Sequence, residues 1–311
     1  MESQRERLVV RVNELFHDFT NQDYEKITYS EMLIKEKERW DRTKKFFDNK
    51  NPLRILDIGT GTGFVPLVIG KFLKASDEFI CTDVSRNMLN LTREKLKREK
   101  FKFTFKFLKL DNSIRLKRNS IDIITVNSVL HHIPNTKSFL KEIDGILKKN
   151  GILIIGHEPN IRFSRNKLLN YNNHILGFIL KPKEEIKYVS VRLGIYEILD
   201  RMFGLVNAKR KKIVKDREKL AKNINKILKS EGLITEDLLI GDIMSLVDYK
   251  TMGFDPKNLM EGYEILHLES YHHLRGFEYG NINFLKRYSE NLKKKFPLDG
   301  RTFFAIYKKS N

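Results

Sequence analysis

Apolar and polar positions along the first half of the chain come in short blocks whose period switches between two and about 3.6 residues. Residues 53–58, Leu-Arg-Ile-Leu-Asp-Ile, form a short apolar run that stops at glycines, the pattern of a buried strand. Residues 64–73 follow with helical spacing, 78–83 read as a second strand, and 86–100 as a charged helix with Met88, Leu89, Leu91 and Leu96 on its inner side. Residues 101–110 alternate phenylalanine with lysine, the signal of a strand with one wet face. A buried strand at 121–126, a helix at 136–147 and an isoleucine-rich strand at 151–155 complete the series. Such repeated alternation of strand and helix predicts a parallel sheet covered on both faces.

The flanks differ. Residues 1–50 are helical in pattern and rich in lysine and glutamate, with no β alternation, so this segment is expected to pack over the mouth of the following domain. Residues 159–260 are also helical; within 209–229, Ile213, Leu220, Ile224, Ile227 and Leu228 make an apolar stripe at helical spacing. Residues 263–274, 282–295 and 302–307 then read as strand, helix and closing strand. The expected division is an N-terminal helical segment (1–50), a nucleotide-type α/β core (51–158), a helical insertion or cap (159–260) and a C-terminal part that completes the sheet (261–311).

Composition narrows the function only a little. The chain has 311 residues and 41% hydrophobic content, enough for one large α/β domain with additions. A single cysteine, Cys81, excludes a disulfide framework and a thiolate metal cluster, and it fits a reducing, cytoplasmic setting. The N-terminus alternates charges and is no secretory signal, and no apolar stretch reaches the ~20 residues of a membrane span. The net charge of +19 points towards polyanions or acidic lipid, yet lysine is abundant together with asparagine and isoleucine, as A+T-rich coding sequence tends to produce, and this compositional reading is preferred.

The informative segment is Ile55-Leu56-Asp57-Ile58-Gly59-Thr60-Gly61-Thr62-Gly63. A strand running into glycines and then a helix lets backbone approach a ligand closely at the carboxyl edge of a sheet. The glycine spacing fails the dinucleotide fingerprint, because residue 64 is phenylalanine, and no Gly-Lys-Ser/Thr follows for a phosphate loop. Asp57 beside the first glycine suits a cationic ligand better than a pyrophosphate.

This segment resembles motif I of class I S-adenosylmethionine-dependent methyltransferases, and three later segments match the same family in order. Asp83, with Val84 after it, ends the second strand where that family places the acid that holds the ribose hydroxyls. Asp111 and Asn112 follow the third strand, at the position that contacts the adenine amino group. Asn127-Ser128-Val129-Leu130-His131-His132-Ile133-Pro134 resembles the segment after the fourth strand in the small-molecule, quinone-biosynthesis-like branch. The resemblance covers residues 53–158. It implies an α/β, Rossmann-like fold: a seven-stranded, mostly parallel sheet with an antiparallel last strand, plus N-terminal helices and the helical cap. It also implies S-adenosyl-L-methionine as cofactor, S-adenosyl-L-homocysteine as product and no metal. Asp57, Gly59, Thr60, Gly61, Gly63, Asp83, Val84, Asp111, Asn112, Asn127 and Ser128 are the implied cofactor contacts.

Methyl transfer from a sulfonium is an in-line displacement that needs collinear reactants in a dry pocket. A hydroxyl or carbon acceptor also needs a base, and His131, His132, Glu158 and His272 are the candidates by their places at strand ends. Packed, hydrogen-bonded histidines are the competing reading. The expected acceptor is a small molecule or lipid-linked metabolite, methylated on oxygen or carbon, its pocket shaped by the cap and aromatics such as Phe163, Tyr171, Phe178, Tyr188, Tyr196 and Phe203. The basic run 209–229, ten basic residues against two acidic, leaves open an anionic acceptor or peripheral contact with acidic lipid. Two rivals stay open: an RNA or protein methyltransferase gripping a polyanion, and a non-catalytic subunit that only binds the cofactor. The absence of an Asn/Asp-Pro-Pro-Tyr/Phe segment and of a nucleophilic cysteine demotes two nucleic-acid branches. The oligomeric state is not legible in the sequence.

Overall fold

The strand blocks pair as their double-sided burial demands. The computed structural model describes residues 3–20, 30–110, 114–180, 208–250, 252–276 and 282–310. Arg54–Ile58 (β1), Glu78–Asp83 (β2), Thr104–Lys109 (β3), Ile121–Asn127 (β4), Leu147–Pro159 (β5), Tyr263–Tyr271 (β6) and Thr302–Lys309 (β7) form one seven-stranded sheet in the order β3-β2-β1-β4-β5-β7-β6. β1 to β5 pair in parallel, whereas β7 runs antiparallel to both of its neighbours. The last strand is therefore the one reversed strand, as expected.

Alternation along each strand sorts the core into two layers. Ile55, Phe79, Ile123, Ile154 and Phe304 pack on one face with Trp40. Their neighbours Leu56, Ile80, Ile124, Leu153 and Phe303 pack on the other with Ile143 and Ile146. Cys81 is buried in the first layer, and burial raises its thiol pKa well above the ordinary range. β3 is an edge strand; Phe103, Phe105 and Phe107 line its covered side, with Phe103 and Phe105 at 4.5 Å between ring centroids.

Between the strands lie helices Phe64–Ile69 (α3), Arg86–Arg98 (α4) and Thr136–Ile146 (α5), preceded by Gln4–Thr20 (α1) and Ser30–Asp41 (α2). α4 begins at Ser85, whose hydroxyl accepts from the Met88 N–H, an N-cap that fixes the chain where β2 ends. Two expected boundaries shift. The helix expected to 147 stops at Ile146, because buried Leu147 already pairs with Ile121 and starts β5. The strand expected to 274 stops at Tyr271, because His272 takes a left-handed backbone (φ 61°) and opens a turn to Arg275.

The described part of 159–260 divides between two helical packings. Ile161–Arg165 (α6) and Lys167–Leu180 (α7) pack with Asn283–Lys295 (α10) through Phe163, Leu169, Leu285 and Leu292. Ala208–Ser230 (α8) and Ile240–Val247 (α9) pack against α1 through Val12, Leu15, Ile224, Leu228, Ile243 and Val247. Tyr171 and Phe178, expected around a cavity or in a cap core, are instead exposed (65% and 45%). Tyr188, Tyr196 and Phe203 lie outside the described residues, as does the side chain of Ile213. Among the described residues, no helix is long and apolar enough to cross a membrane.

Candidate active site

Strand order reverses direction between β1 and β4, and such a switch point opens a crevice at the carboxyl ends of the strands. A cavity of about 470 Å³ occupies that crevice, within the roughly 300–1,000 Å³ typical of small-molecule sites. Its floor is the turn after β1. Gly59 and Gly61 both have left-handed backbones (φ 67° and 54°), which glycine adopts without a steric penalty. A side chain at Gly59 would strike Val129 at 2.3 Å, so this glycine lets the turn seat against the segment after β4. At Gly61 a Cβ would meet only a carbonyl oxygen at 4.0 Å; the space above it is open cavity. Thr60 buttons the turn to β2: its N–H donates to the Thr82 carbonyl, and its hydroxyl accepts from the Thr82 N–H.

Asp83 joins the floor to the α4 side. One carboxylate oxygen accepts from the Gly61 N–H at 2.8 Å and the other from the Ser85 N–H at 2.9 Å. Burial pushes its pKa up to about 6, with the two N–H donors pulling the other way. Asp57 is more extreme: burial takes it to about 7, against the Thr125 hydroxyl that donates to one oxygen. Its other oxygen has no hydrogen-bond partner among the described residues. Asp57 lies beneath the turn, facing its register partner Thr125, and is not part of the cavity lining.

The remaining expected contacts separate cleanly. Gly59, Thr60, Gly61, Asp83, Val84, Asn127 and Ser128 line the one cavity. Gly63 turns towards Thr92 of α4 instead. Asp111 and Asn112 lie outside the described residues. The buried Oδ1 of Asn127 has no partner among the described residues, a polar atom whose burial costs free energy unless something donates to it.

The four candidate bases occupy different situations. After Ser128 (φ 59°) the chain enters a 3-10 turn, Leu130–His132. Glu158, fully buried at the end of β5, holds that turn: its carboxylate accepts from the N–H groups of Val129 (2.5 Å), Leu130 (2.7 Å) and His131 (3.3 Å). The His131 ring adds a contact from Nδ1 at 2.9 Å. Burial opposes a charge on His131, but Glu158 and Asp248 outweigh it and raise its pKa. Neither Glu158 nor His131 lines the cavity; they form a staple beneath its wall. His132 does line it. Its Nδ1 sits 2.5 Å from the Val247 carbonyl, which can only accept, so this nitrogen carries the proton and Nε2 keeps a lone pair. Burial, then the neighbouring His131 and His17, drives the His132 pKa well down and keeps the ring neutral. His272 is buried away from the cavity against Thr302 (2.6 Å), and burial takes its pKa to about 2.

His131, His132 and Asp248 bring possible ligand atoms within 4.8 Å of one another. Asp248 Oδ1 stands 3.9 Å from His131 Nε2, at ion-pair spacing.

Sequence reasoning placed the N-terminal segment over the mouth of the domain but named none of the residues that line the cavity from it. Glu6, Val10, Asn13 and His17 of α1 line the cavity. Their spacing of four, three and four residues puts them on one helical face, a signal present in the sequence but hidden among charges.

Comparison with known proteins gives a consistent picture. Residues 56–155 match the methyltransferase domain family. The chain is similar to the demethylmenaquinone methyltransferase of Lactococcus lactis, 29% identical over 55% of this chain and 68% of that protein. Over a third of its length (33%) it is 32% identical to the demethylmenaquinone methyltransferase of Bacteroides fragilis, covering 42% of that protein. Among solved structures it is similar to a SAM-dependent methyltransferase from Aquifex aeolicus, 27% identical over 39% of this chain and 64% of that one, with a TM-score of 0.35.

Proposed function

We propose, for a chain that belongs to the class I S-adenosylmethionine-dependent methyltransferases, transfer of a methyl group to an oxygen or carbon atom of a small-molecule or lipid-linked acceptor, with His132 as the proton acceptor. The observation that carries the role of His132 is its tautomer: Nδ1–H is committed to the Val247 carbonyl while the ring lines the cavity beside the glycine turn. The names of the similar proteins from Lactococcus and Bacteroides support a small-molecule acceptor.

The residues present fit the cofactor. Gly61 leaves room that a side chain would fill, Asp83 offers a buried carboxylate at the end of β2, and the Asn127 oxygen awaits a donor. In this reading Gly59, Thr60 and Gly61 give close backbone approach, Asp83 takes the ribose hydroxyls, and Val84, Asn127 and Ser128 close the sides. The bound sulfonium supplies a methyl group already activated for displacement. With the methyl donor bound, His132 would receive the acceptor's O–H or C–H proton at Nε2 as the acceptor takes up the methyl group. The Glu158–His131 staple fixes the turn that carries His132, and the apolar wall from Val10, Ile133, Pro134 and Phe139 excludes water. The reading needs no metal ion, assigns 51–158 to the cofactor and the flanking helices to the acceptor, and places the reaction in the cytoplasm.

The test is His132→Gln assayed by S-adenosylhomocysteine formation with a panel of hydroquinones and phenols. Loss of general-base catalysis lowers kcat about 100-fold or more while cofactor affinity stays within twofold. Equal rates would return His132 to a packing role.

A further inference from the structure

The charge of the cavity is opposite to the charge of the protein. The chain carries 59 lysines and arginines against 40 acids, yet the described lining residues include Glu6, Asp83 and Glu142 and no lysine or arginine. Both lining histidines are held neutral by burial: His17 falls to about 4, and His132 falls well below its ordinary value. α1 shows how the separation arises. Arg11, on its other side, is turned outward to Glu14 and Glu231, at 2.6 and 2.5 Å, while positions 6, 10, 13 and 17 face inward.

Asn13 sets the polarity of that inward face. It is 5% exposed, and its Nδ2 donates to the Val9 and Leu246 carbonyls at 2.9 and 3.1 Å. Those two bonds fix which end of the amide is which, and they leave Oδ1, buried, without a partner among the described residues. An acceptor oxygen without a donor is a costly feature in a folded interior, and a ligand group is one way to satisfy it. Asn13 and His132 both line the cavity, so an acceptor oxygen without a donor among the described residues lies at its α1 wall.

We propose that Asn13 is a specificity-determining residue, and that the methyl acceptor is a neutral or cationic molecule whose hydroxyl or amino group donates to Asn13 Oδ1. Carboxylated and phosphorylated acceptors are rejected by Glu6 and Glu142, with no lysine or arginine among the described wall residues to pair with them. This rests on the methyltransferase reading above and decides between acceptors that the reading admits.

The experiment measures equilibrium binding of four probes of one size, phenol, benzylamine, benzoate and phenyl phosphate, to the full chain with and without S-adenosylhomocysteine. Phenol and benzylamine are expected to bind, and benzoate and phenyl phosphate at least about 10-fold more weakly. Asn13→Leu should weaken phenol about 10-fold, the worth of one hydrogen bond at the upper end of its range. Asn13→Gln, which keeps amide donors for the two carbonyls and an acceptor oxygen, should lose less phenol affinity than Asn13→Leu. Both variants should hold S-adenosylhomocysteine within threefold, which also shows that they are folded. Anions binding as well as phenol, none of the four probes binding, or Asn13→Leu leaving phenol unchanged would each overturn the proposal. So would a loss of S-adenosylhomocysteine affinity in Asn13→Leu matching the loss of phenol, because Asn13 would then serve the cofactor. Failure of the unaltered chain to bind S-adenosylhomocysteine strikes the functional reading instead, and the probe order without cofactor is read separately.

Discussion

Replacing Glu158 with glutamine separates a base from a staple. The carboxylate is fully buried and accepts from three backbone N–H groups of the turn and from the His131 ring. Glutamine keeps the shape but removes the charge, and its NH2 must face one of those donors. Breaking a buried, hydrogen-bonded charge pair costs about 3–5 kcal/mol. At about 2 °C per kcal/mol for a chain of this size, thermal unfolding should fall by about 6–10 °C. The His131 shift adds a pH signature. Its folded pKa is raised, so its contribution is complete below the unfolded value of about 6.5 and is lost as pH rises through the folded value. The gap in melting temperature between the two proteins should therefore narrow from pH 6 to pH 9. Scanning calorimetry at both pH values, alongside turnover at 20 °C, checks this. An unchanged melting temperature with turnover reduced 100-fold would refute the staple and restore Glu158 as a catalytic acid or base.

Three further outcomes follow from the same site. Asp83→Ala removes the carboxylate proposed to hold two ribose hydroxyls, and at about 1.5–3 kcal/mol for each charge-assisted bond S-adenosylhomocysteine affinity should fall at least 100-fold by calorimetry. Gly61→Val places a branched side chain at φ 54° in the open space above the turn; binding should be abolished while circular dichroism stays that of the folded chain. Because burial holds Asp57 and Asp83 near 7 and 6, a bound cation favours their ionised forms. Binding at pH 6 should release protons, seen as a dependence of the measured enthalpy on buffer, and affinity should weaken as pH falls below 6.

The sheet was readable because its strands are buried on both faces, so Leu56 and Ile55, or Ile124 and Ile123, each meet a separate apolar layer and leave near-continuous apolar runs. β7 is equally apolar, but its place between β5 and β6 is a matter of long-range pairing that no local pattern records. At the site, the glycines and Asp83 were legible because close backbone approach and a strand-end acid leave local marks. The role of Glu158 was not, since its partners are backbone N–H groups 27 to 29 positions away. Asp57 carries the same mark as a ligand contact yet lies under the turn, because only the register with Thr125 decides which way it faces. The N-terminal segment was expected over the mouth of the domain, but its lining residues were not legible, because that inward face mixes Glu6, Val10, Asn13 and His17 and does not read as an apolar stripe.

The most direct test of the central claim is a calorimetric titration of the unaltered chain with S-adenosylmethionine and, separately, with NAD. Saturable, one-to-one binding of S-adenosylmethionine alone is the predicted result. Binding of NAD in its place, or of neither, would contradict the assignment of the β1 turn and Asp83 to the methyl donor.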